Sequence, residues 1–451
     1  MEGLFNSIRR KISGRIIPLI LCLALLLSFS AFAAETESEA GESGYQLKQV
    51  LVLSRHNIRA PLSGSGSDLD KMTRHKWTEW TANESELTLK GGVAETLMGQ
   101  YYRKWLEREG LIPENDIPAD GEVLFYANCR QRTIATAQYF AAGMFPIGNI
   151  PIQYKGEIGD FDPVFKPILT FMSDDYRDAV QKQLEESFDF SEGGALDKTL
   201  REGYEILADV LDFQNSSGYQ SGELSDWRTD DLGIVLEADK EPAVIGSLKN
   251  AESAADALVL QYYEEDDAEK AAFGHDLSAE EWKKIANLVS VYQAMRFALP
   301  LIGINTAHPL LMEIKEELEN QDRVFTFLCG HDSNLGSVLS ALGVTDYDLP
   351  ETVEMHTPIG SELVFERWES ETGEEYARIR IVYQSTEQLR SLAALTLENP
   401  PMSYSVELPG ISLNEDGFYS MQDVLDSLDR AIQAYDELQE TYGESEEELA
   451  A

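Results

Sequence analysis

The chain has 451 residues, 43% of them hydrophobic and 10% aromatic, which is enough apolar material for a large core and excludes global disorder or a collagen-like repeat. Its formal charge is −44, so binding of nucleic acid by phosphate neutralisation and attraction to an anionic membrane surface are both disfavoured. The length suggests two or three domains.

Residues 1–15 carry Arg9, Arg10, Lys11 and Arg15 against one acid, Glu2; a mostly apolar run from Ile16 to Leu27 follows, then Ala31-Phe32-Ala33. This order of charged, apolar and small-residue regions reads as a secretory signal peptide over 1–33. The alternative, an uncleaved anchor, is weakened because the apolar run is shorter than the ~18 residues a span needs. Residues 34–46 read as a flexible acidic lead-in and 444–451 as an acidic tail. Beyond the signal only Cys129 and Cys329 remain, so a disulfide scaffold is excluded and one bridge at most can form.

Val50-Leu51-Val52-Leu53 is a continuous apolar run, the pattern of a strand buried on both faces, and it leads into Ser54-Arg55-His56. A helix is predicted from about Gly91 to Glu109, with Val93, Leu97, Tyr101 and Trp105 on its inner face. A second strand, Glu122 to Ala127, runs into Cys129-Arg130-Gln131-Arg132 and is followed by a helix over about Thr133 to Ala142. From 155 to 310 helical patterns dominate (176–188, 196–213, 251–265, 278–298), which predicts an inserted all-helical domain. The α/β catalytic domain is then 47–154 together with 311–443. Val324 to Leu328 is a third buried strand, ending at Gly330-His331-Asp332, with a helix from near Asn334. A hairpin is predicted for Glu362–Trp368 and Tyr376–Tyr383. An amphipathic helix carries Met421, Leu425, Leu428, Ile432, Tyr435 and Leu438, with Ser420 as N-cap and Asp423 three residues on.

Three buried strands thus end in Arg or His, and in open α/β sheets ligands bind outside the carboxyl ends of the strands. In Arg55-His56-Asn57-Ile58-Arg59-Ala60-Pro61 two guanidiniums flank an imidazole: forks that match phosphate oxygens around a nitrogen able to attack phosphorus. The alternative for this segment alone is a surface loop with incidental charge. Arg132 offers a third guanidinium; in isolation it would be a structural arginine. His331 adds a second imidazole, and Asp332 a carboxyl suited to protonating an alkoxide leaving group, or simply to capping a helix. No H-E-x-x-H or cysteine cluster points to a metal, and no cofactor is implied.

These motifs resemble the histidine acid phosphatase branch of the histidine phosphatase superfamily, whose marks are R-H-G/N-x-R-x-P early and H-D late. Within it the sequence is most similar to the bacterial glucose-1-phosphatases and phytases, in Ser54–Leu62, Leu87–Val93, Gln131–Phe140, Val259–Glu264, Gly330–Leu342, Thr357–Trp368 and Val382–Arg390. The similarity spans about 48–430 and is weakest through 160–245. The resemblance implies a phosphoglycerate-mutase-like α/β fold, with a mixed, mostly parallel sheet flanked by helices. It also implies His56 as nucleophile, Asp332 as general acid, and Arg55, Arg59, Arg132 and His331 as phosphate ligands. Glu264 resembles a pocket residue facing the sugar, and Trp77 and Trp80 are candidates for the same wall or for plain core. The family's disulfides cannot form here, since their cysteines are missing. Cys129 and Cys329 are instead two thiols, or one bridge, beside Arg132 and His331.

The expected activity is hydrolysis of a small phosphomonoester such as glucose 1-phosphate, with an acidic pH optimum, in the periplasm or outside the cell. No nucleic acid, no membrane in the mature form and no metal are expected, and a homodimer is compatible. The alternatives are a phytase, a non-catalytic phosphate-binding surface protein, and a metal-dependent phosphatase that a chelator would silence.

Overall fold

The apolar run around Val50–Leu53 lies at the centre of a mixed sheet. A computed structural model describes residues 44–62, 69–344 and 347–443. The expected signal peptide, residues 34–43 of the lead-in and the acidic tail lie outside the described residues. Strand β1 (Tyr45–Arg55) begins inside the expected lead-in. Its side chains alternate between two cores: Leu51 and Leu53 pack with Leu310, Ile314 and Leu335, while Val50 and Val52 pack with Met98, Tyr102 and Phe140. Each fully buried side chain of this size contributes about 1.5–3 kcal/mol, which is why an unbroken apolar run is the correct code for this position.

The chain continues through α1 (Leu89–Arg108), β2 (Val123–Ala127), α2 (Gln131–Met144) and the short β3 (Ile152–Gln153). The inner face of α1 differs from the predicted one. Glu95, Met98, Tyr102 and Trp105 are buried, whereas Val93 is 39% exposed and Leu97 and Tyr101 are only half-buried. Small residues decide this. A Cβ on Gly91 would collide with the Ile58 carbonyl, and one on Gly99 with the Phe140 carbonyl, so α1 presses backbone to backbone where hydrophobic periodicity is blind.

A helical stretch follows: α3 (Asp174–Ser187), α4 (Ala195–Val210), the hairpin β4 (Gly233–Val235) and β5 (Ala243–Ile245), α5 (Ser247–Glu264), α6 (Ala279–Gln293) and α7 (Pro300–Glu319). Leu200, Leu207, Leu258, Trp282 and Ile285 form its core. Helix α6 ends five residues earlier than expected and passes into a π-helical turn, Ala294–Ala298, because Pro300 forces Leu299 into an extended conformation. Helix α7 runs through residue 310, so the expected boundary there falls inside one helix. Among the described residues no single helix is long and apolar enough to cross a membrane.

The sheet resumes with β6 (Phe325–Gly330), then α8 (Asp332–Ala341), the hairpin β7 (Glu362–Ser370) and β8 (Glu375–Tyr383), β9 (Met402–Ser405), β10 (Tyr419–Ser420) and α9 (Met421–Tyr442). Ser420 occupies the N-cap position of α9, but its side chain makes no capping bond, in contrast to the prediction; the residue is paired to Tyr376 as part of β10. The eight-stranded sheet runs β10-β8-β7-β1-β6-β2-β3, with β9 on β8, and β4 and β5 form a separate two-stranded sheet. Strands β1, β6, β2 and β3 are parallel, and β7 to β10 are antiparallel additions. Because β6 inserts between β1 and β2, the carboxyl ends of all three lie side by side. Arg55 is in register with Gly330, and Ala127 with Cys329.

Candidate active site

An open cleft lies over these three strand ends, lined by His56, Arg59, Arg132, His331 and Asp332 on the sheet side. From the helical side come Glu241, Lys249, Glu252, Asp256, Tyr292, Gln293 and Arg296.

His56 is 3% exposed, and its Nδ1 lies 2.9 Å from the Asn57 carbonyl oxygen. A carbonyl only accepts, so Nδ1 carries the proton and Nε2 keeps its lone pair. Burial, reinforced by Arg132, His331, Arg59 and Arg55, holds the His56 pKa well below that of a free imidazole, so the ring stays neutral in acid. The turn is fixed on all sides. Gly360 N–H donates to the His56 carbonyl (3.2 Å), Asn57 N–H to Thr136 Oγ1 (3.1 Å) and Asn57 Nδ2 to Glu95 Oε2 (2.8 Å).

The tautomer of His331 follows from Asn128. Asn128 Oδ1 accepts from Cys129 N (2.8 Å) and Asp162 N (2.9 Å), so its Nδ2, 2.8 Å from His331 Nε2, must donate. The proton therefore sits on His331 Nδ1, which faces Arg132 Nη2 at 3.4 Å: two donors converging on one spot. His331 is likewise held neutral, by burial and by Arg132, Arg130, Arg59 and Arg55. Burial together with Arg59 and Arg130 lowers the Arg132 pKa to about 9. The Nε atoms of Arg55, Arg59, Arg130 and Arg132 are buried and make no hydrogen bond within the protein. Mutually repelling guanidiniums with spare donors fit a dianion well.

Arg55 stands slightly apart. Its Nη1 donates to Glu354 Oε1 (2.7 Å) and to the Thr357 carbonyl, while Nη2 lies 3.6 Å from Asp332 Oδ2. It borders the neighbouring apolar cavity that Asp332 also touches. Asp332 is the first residue of α8 rather than its cap; the cap position is His331. Its Oδ1 accepts from Ser333 N (2.8 Å), and its Oδ2 from Gln293 Nε2 (3.2 Å).

Glu264 does not reach the cleft. It sits at the far end of α5, where its carboxylate accepts from Thr88 Oγ1 (2.8 Å) and Thr81 Oγ1 (3.3 Å), tying down the N-cap of α1. Two turns earlier on the same helix, Asp256 Oδ2 accepts from Arg59 Nη2 at 3.0 Å. Glu252 is pushed up to about 8 by burial and Asp256, so it is a neutral acid at low pH. Glu241 pairs with Arg296 at 2.7 Å. Trp77 and Trp80 pack against the helical core, not the cleft. Both cysteines are free. Sequence reasoning missed Asn128, Glu241, Glu252, Asp256, Gln293 and Glu354. Only Asn128, one residue past β2, carried a positional signal.

Residues 46–384 match the sequence model of the histidine phosphatase superfamily, branch 2. The chain is a branch-2 histidine phosphatase. As such it is a phosphoric monoester hydrolase. This histidine phosphatase is 39% identical over 421 residues to a glucose-1-phosphatase of Providencia rettgeri, covering 92% of this chain and 99% of the relative. It is 38% identical over 400 residues to a glucose-1-phosphatase of Salmonella typhimurium, covering 88% and 94%. Among solved structures, the phytase of Hafnia alvei in complex with tartrate superposes with a TM-score of 0.77 at 27% identity, over 87% of this chain and 98% of that one.

Proposed function

We propose that this phosphatase is exported and hydrolyses a small sugar phosphate, with glucose 1-phosphate as its reference substrate. The observation that carries this reading is the polarity of the cleft: cations at the strand ends, and carboxyls with one lysine and one arginine opposite. A single phosphate fits the first, and sugar hydroxyls fit the acceptors of the second. Export rests on the 1–33 segment. Residues 155–310 are read as an insertion into the α/β domain, mostly helical rather than all-helical because it carries the hairpin β4–β5, and modified by the continuity of α7 through residue 310.

Arg59, Arg132 and His331 grip the phosphate oxygens, with Arg55 behind Asp332. His56 Nε2 attacks phosphorus in line with the leaving oxygen. The N–P bond forms as the P–O bond breaks, and Asp332 transfers its proton to the departing alkoxide. Asp332, now a carboxylate, takes a proton from water as that water displaces His56, which returns the enzyme to its starting state. Clustered guanidiniums compensate the charge of the phosphoryl group in flight. A carboxylic acid must be protonated at the step where an imidazole must be neutral, so the pH optimum is acidic.

A phytase is the second reading, favoured by the likeness to the Hafnia alvei structure. Glu241 and Asp256 in the cleft wall oppose it, because a hexakisphosphate would bring further dianions against them.

The test is phosphate release from glucose 1-phosphate and from phytate at about pH 4.5 in excess chelator, for the mature chain and for His56→Ala. The reading expects chelator-resistant release that favours the sugar phosphate and disappears in the variant. A large preference for phytate overturns the substrate; loss of activity only in chelator overturns the chemistry.

A further inference from the structure

Directly beneath the His56 turn lie two buried carboxyls that the reaction does not use. Glu95, on the inner face of α1, is 1% exposed, and Glu362, the first residue of β7, is 0% exposed. Each has one satisfied oxygen. Glu95 Oε2 accepts from Asn57 Nδ2 at 2.8 Å, and Glu362 Oε2 accepts from Tyr102 OH at 2.6 Å. The other oxygen of each, Oε1, is buried and has no hydrogen-bond donor. Buried carboxylate oxygens without donors cost several kcal/mol as anions, whereas a proton carried between two carboxyls supplies the missing donor.

The groups around the pair do not neutralise it. Tyr102 on α1 is a phenol held well above its usual pKa by burial and by Glu362. Cys329 on β6 is a buried thiol whose pKa burial, Glu95 and Glu362 push up. Arg132 on α2 acts on that thiol from the phosphate site, and Arg380 on β8, which acts on Tyr102, is paired with Glu366. Thr136 and Asn57 are neutral.

We propose that Glu95 and Glu362 form a proton-sharing pair that positions the nucleophile: Glu95 anchors the Asn57 side chain, and Asn57 in turn holds the proton of His56 Nδ1. The connection is one hydrogen bond per link, Glu95 Oε2 to Asn57 Nδ2 and the Asn57 carbonyl to His56 Nδ1. Strand β7 brings Glu362 in register with Ser54, next to that turn. Once the pair loses its proton, two carboxylates repel each other in a water-free space, and the easiest release is to move the Asn57 end. The pair is therefore a ceiling on the pH at which the site stays assembled.

The direction of the titration agrees. Burial raises Glu95 to about 8, and burial with the Glu95 charge raises Glu362 well above an ordinary carboxyl. For acids with raised folded-state pKa values, the stability they contribute is complete below the ordinary carboxyl value and is lost as pH rises through the folded one. Thermal stability should thus fall between about pH 5 and pH 8 and beyond.

This inference rests on His56 being the nucleophile, so the experiment has one arm that needs no substrate. Thermal unfolding of the mature chain is recorded from pH 5 to 9, alongside kcat and KM, for wild type, Glu362→Gln and Glu95→Gln. An amide carries permanent hydrogens and loses no proton. Either variant should at least halve the pH-dependent drop in Tm and raise the kcat ratio of pH 8 to pH 5 by about threefold or more. Glu95→Leu, which removes the acceptor of Asn57, should lower kcat about tenfold or more while KM stays within about twofold. Equal Tm slopes and unmoved pH profiles in both amide variants overturn the proposal. So does a loss in Glu95→Leu that appears in KM alone. A wild type without phosphatase activity would overturn the proposed function, and the Tm slopes would still decide the pair.

Discussion

At the sheet end of the cleft, His56, Arg59, Arg132, His331 and Asp332 all sit within a few residues of a parallel strand terminus. At the opposite end, Glu241, Glu252 and Asp256 come from a short hairpin and from the first turns of α5. The first set is held by backbone. The His56 amide donates to the Gly330 carbonyl, and the Asn128 amide to the Cys329 carbonyl, so the strand register itself spaces the groups. The second set is held by side-chain pairs, Asp256 with Arg59 and Glu241 with Arg296. In the proposed function the backbone-held end carries the bond-making chemistry, where small displacements are costly. In the proposed function the side-chain-held end chooses the substrate, where a single substitution can change the answer.

The contrast can be broken most severely at the nucleophile. His56→Ala should lower kcat about 10⁴-fold or more and abolish the acid-labile, alkali-stable phosphoenzyme trapped by an alkaline quench; retention of the labelled intermediate would move the nucleophile elsewhere. Asp332→Asn should cost roughly 10²–10⁴-fold on a sugar phosphate and much less on an aryl ester with a good leaving group, and equal losses on the two would remove its role as acid. At the other end the effect should fall on selectivity. Glu241→Gln removes a charge from the cleft wall and weakens the pairing of Arg296, and should shift the phytate to glucose 1-phosphate ratio of kcat/KM about tenfold towards phytate, mostly through KM. The smallest effect sharpens the boundary of the pocket. Glu264→Gln should leave that ratio unchanged and cost about 1 kcal/mol of stability through the Thr88 cap, read as a lowered Tm; a change of selectivity would return Glu264 to the substrate site.

Much of the sheet end was legible in the chain. A strand buried on both faces must be written as an unbroken apolar run, and the polar residues that stop such a run mark where it leaves the core, so β1, β2 and β6 announced the ends that meet at the cleft. The hairpin β7–β8 and the main helices were legible for the same reason of periodicity. The acids of the far end were not. Asp256 lies on α5 eight residues before Glu264, and nothing in the spacing of that helix distinguishes the carboxyl that meets Arg59 from the one that meets Thr88. The inner face of α1 was hidden because glycine packs closely without being hydrophobic. Glu95 and Glu362 were hidden because a buried carboxyl looks like any surface acid until its neighbours are known.

The sequence by itself therefore determined the fold class, the family and the strand ends at which the candidate site lies, since each depends on residues adjacent along one strand or turn. Which carboxyls line the cleft, which nitrogen of each histidine holds the proton, that Cys129 and Cys329 remain free, and that Glu95 and Glu362 are buried were decided only by tertiary structure. Those properties depend on distances between elements tens to hundreds of residues apart, and on burial, which sets the protonation of a group after the chain has closed around it.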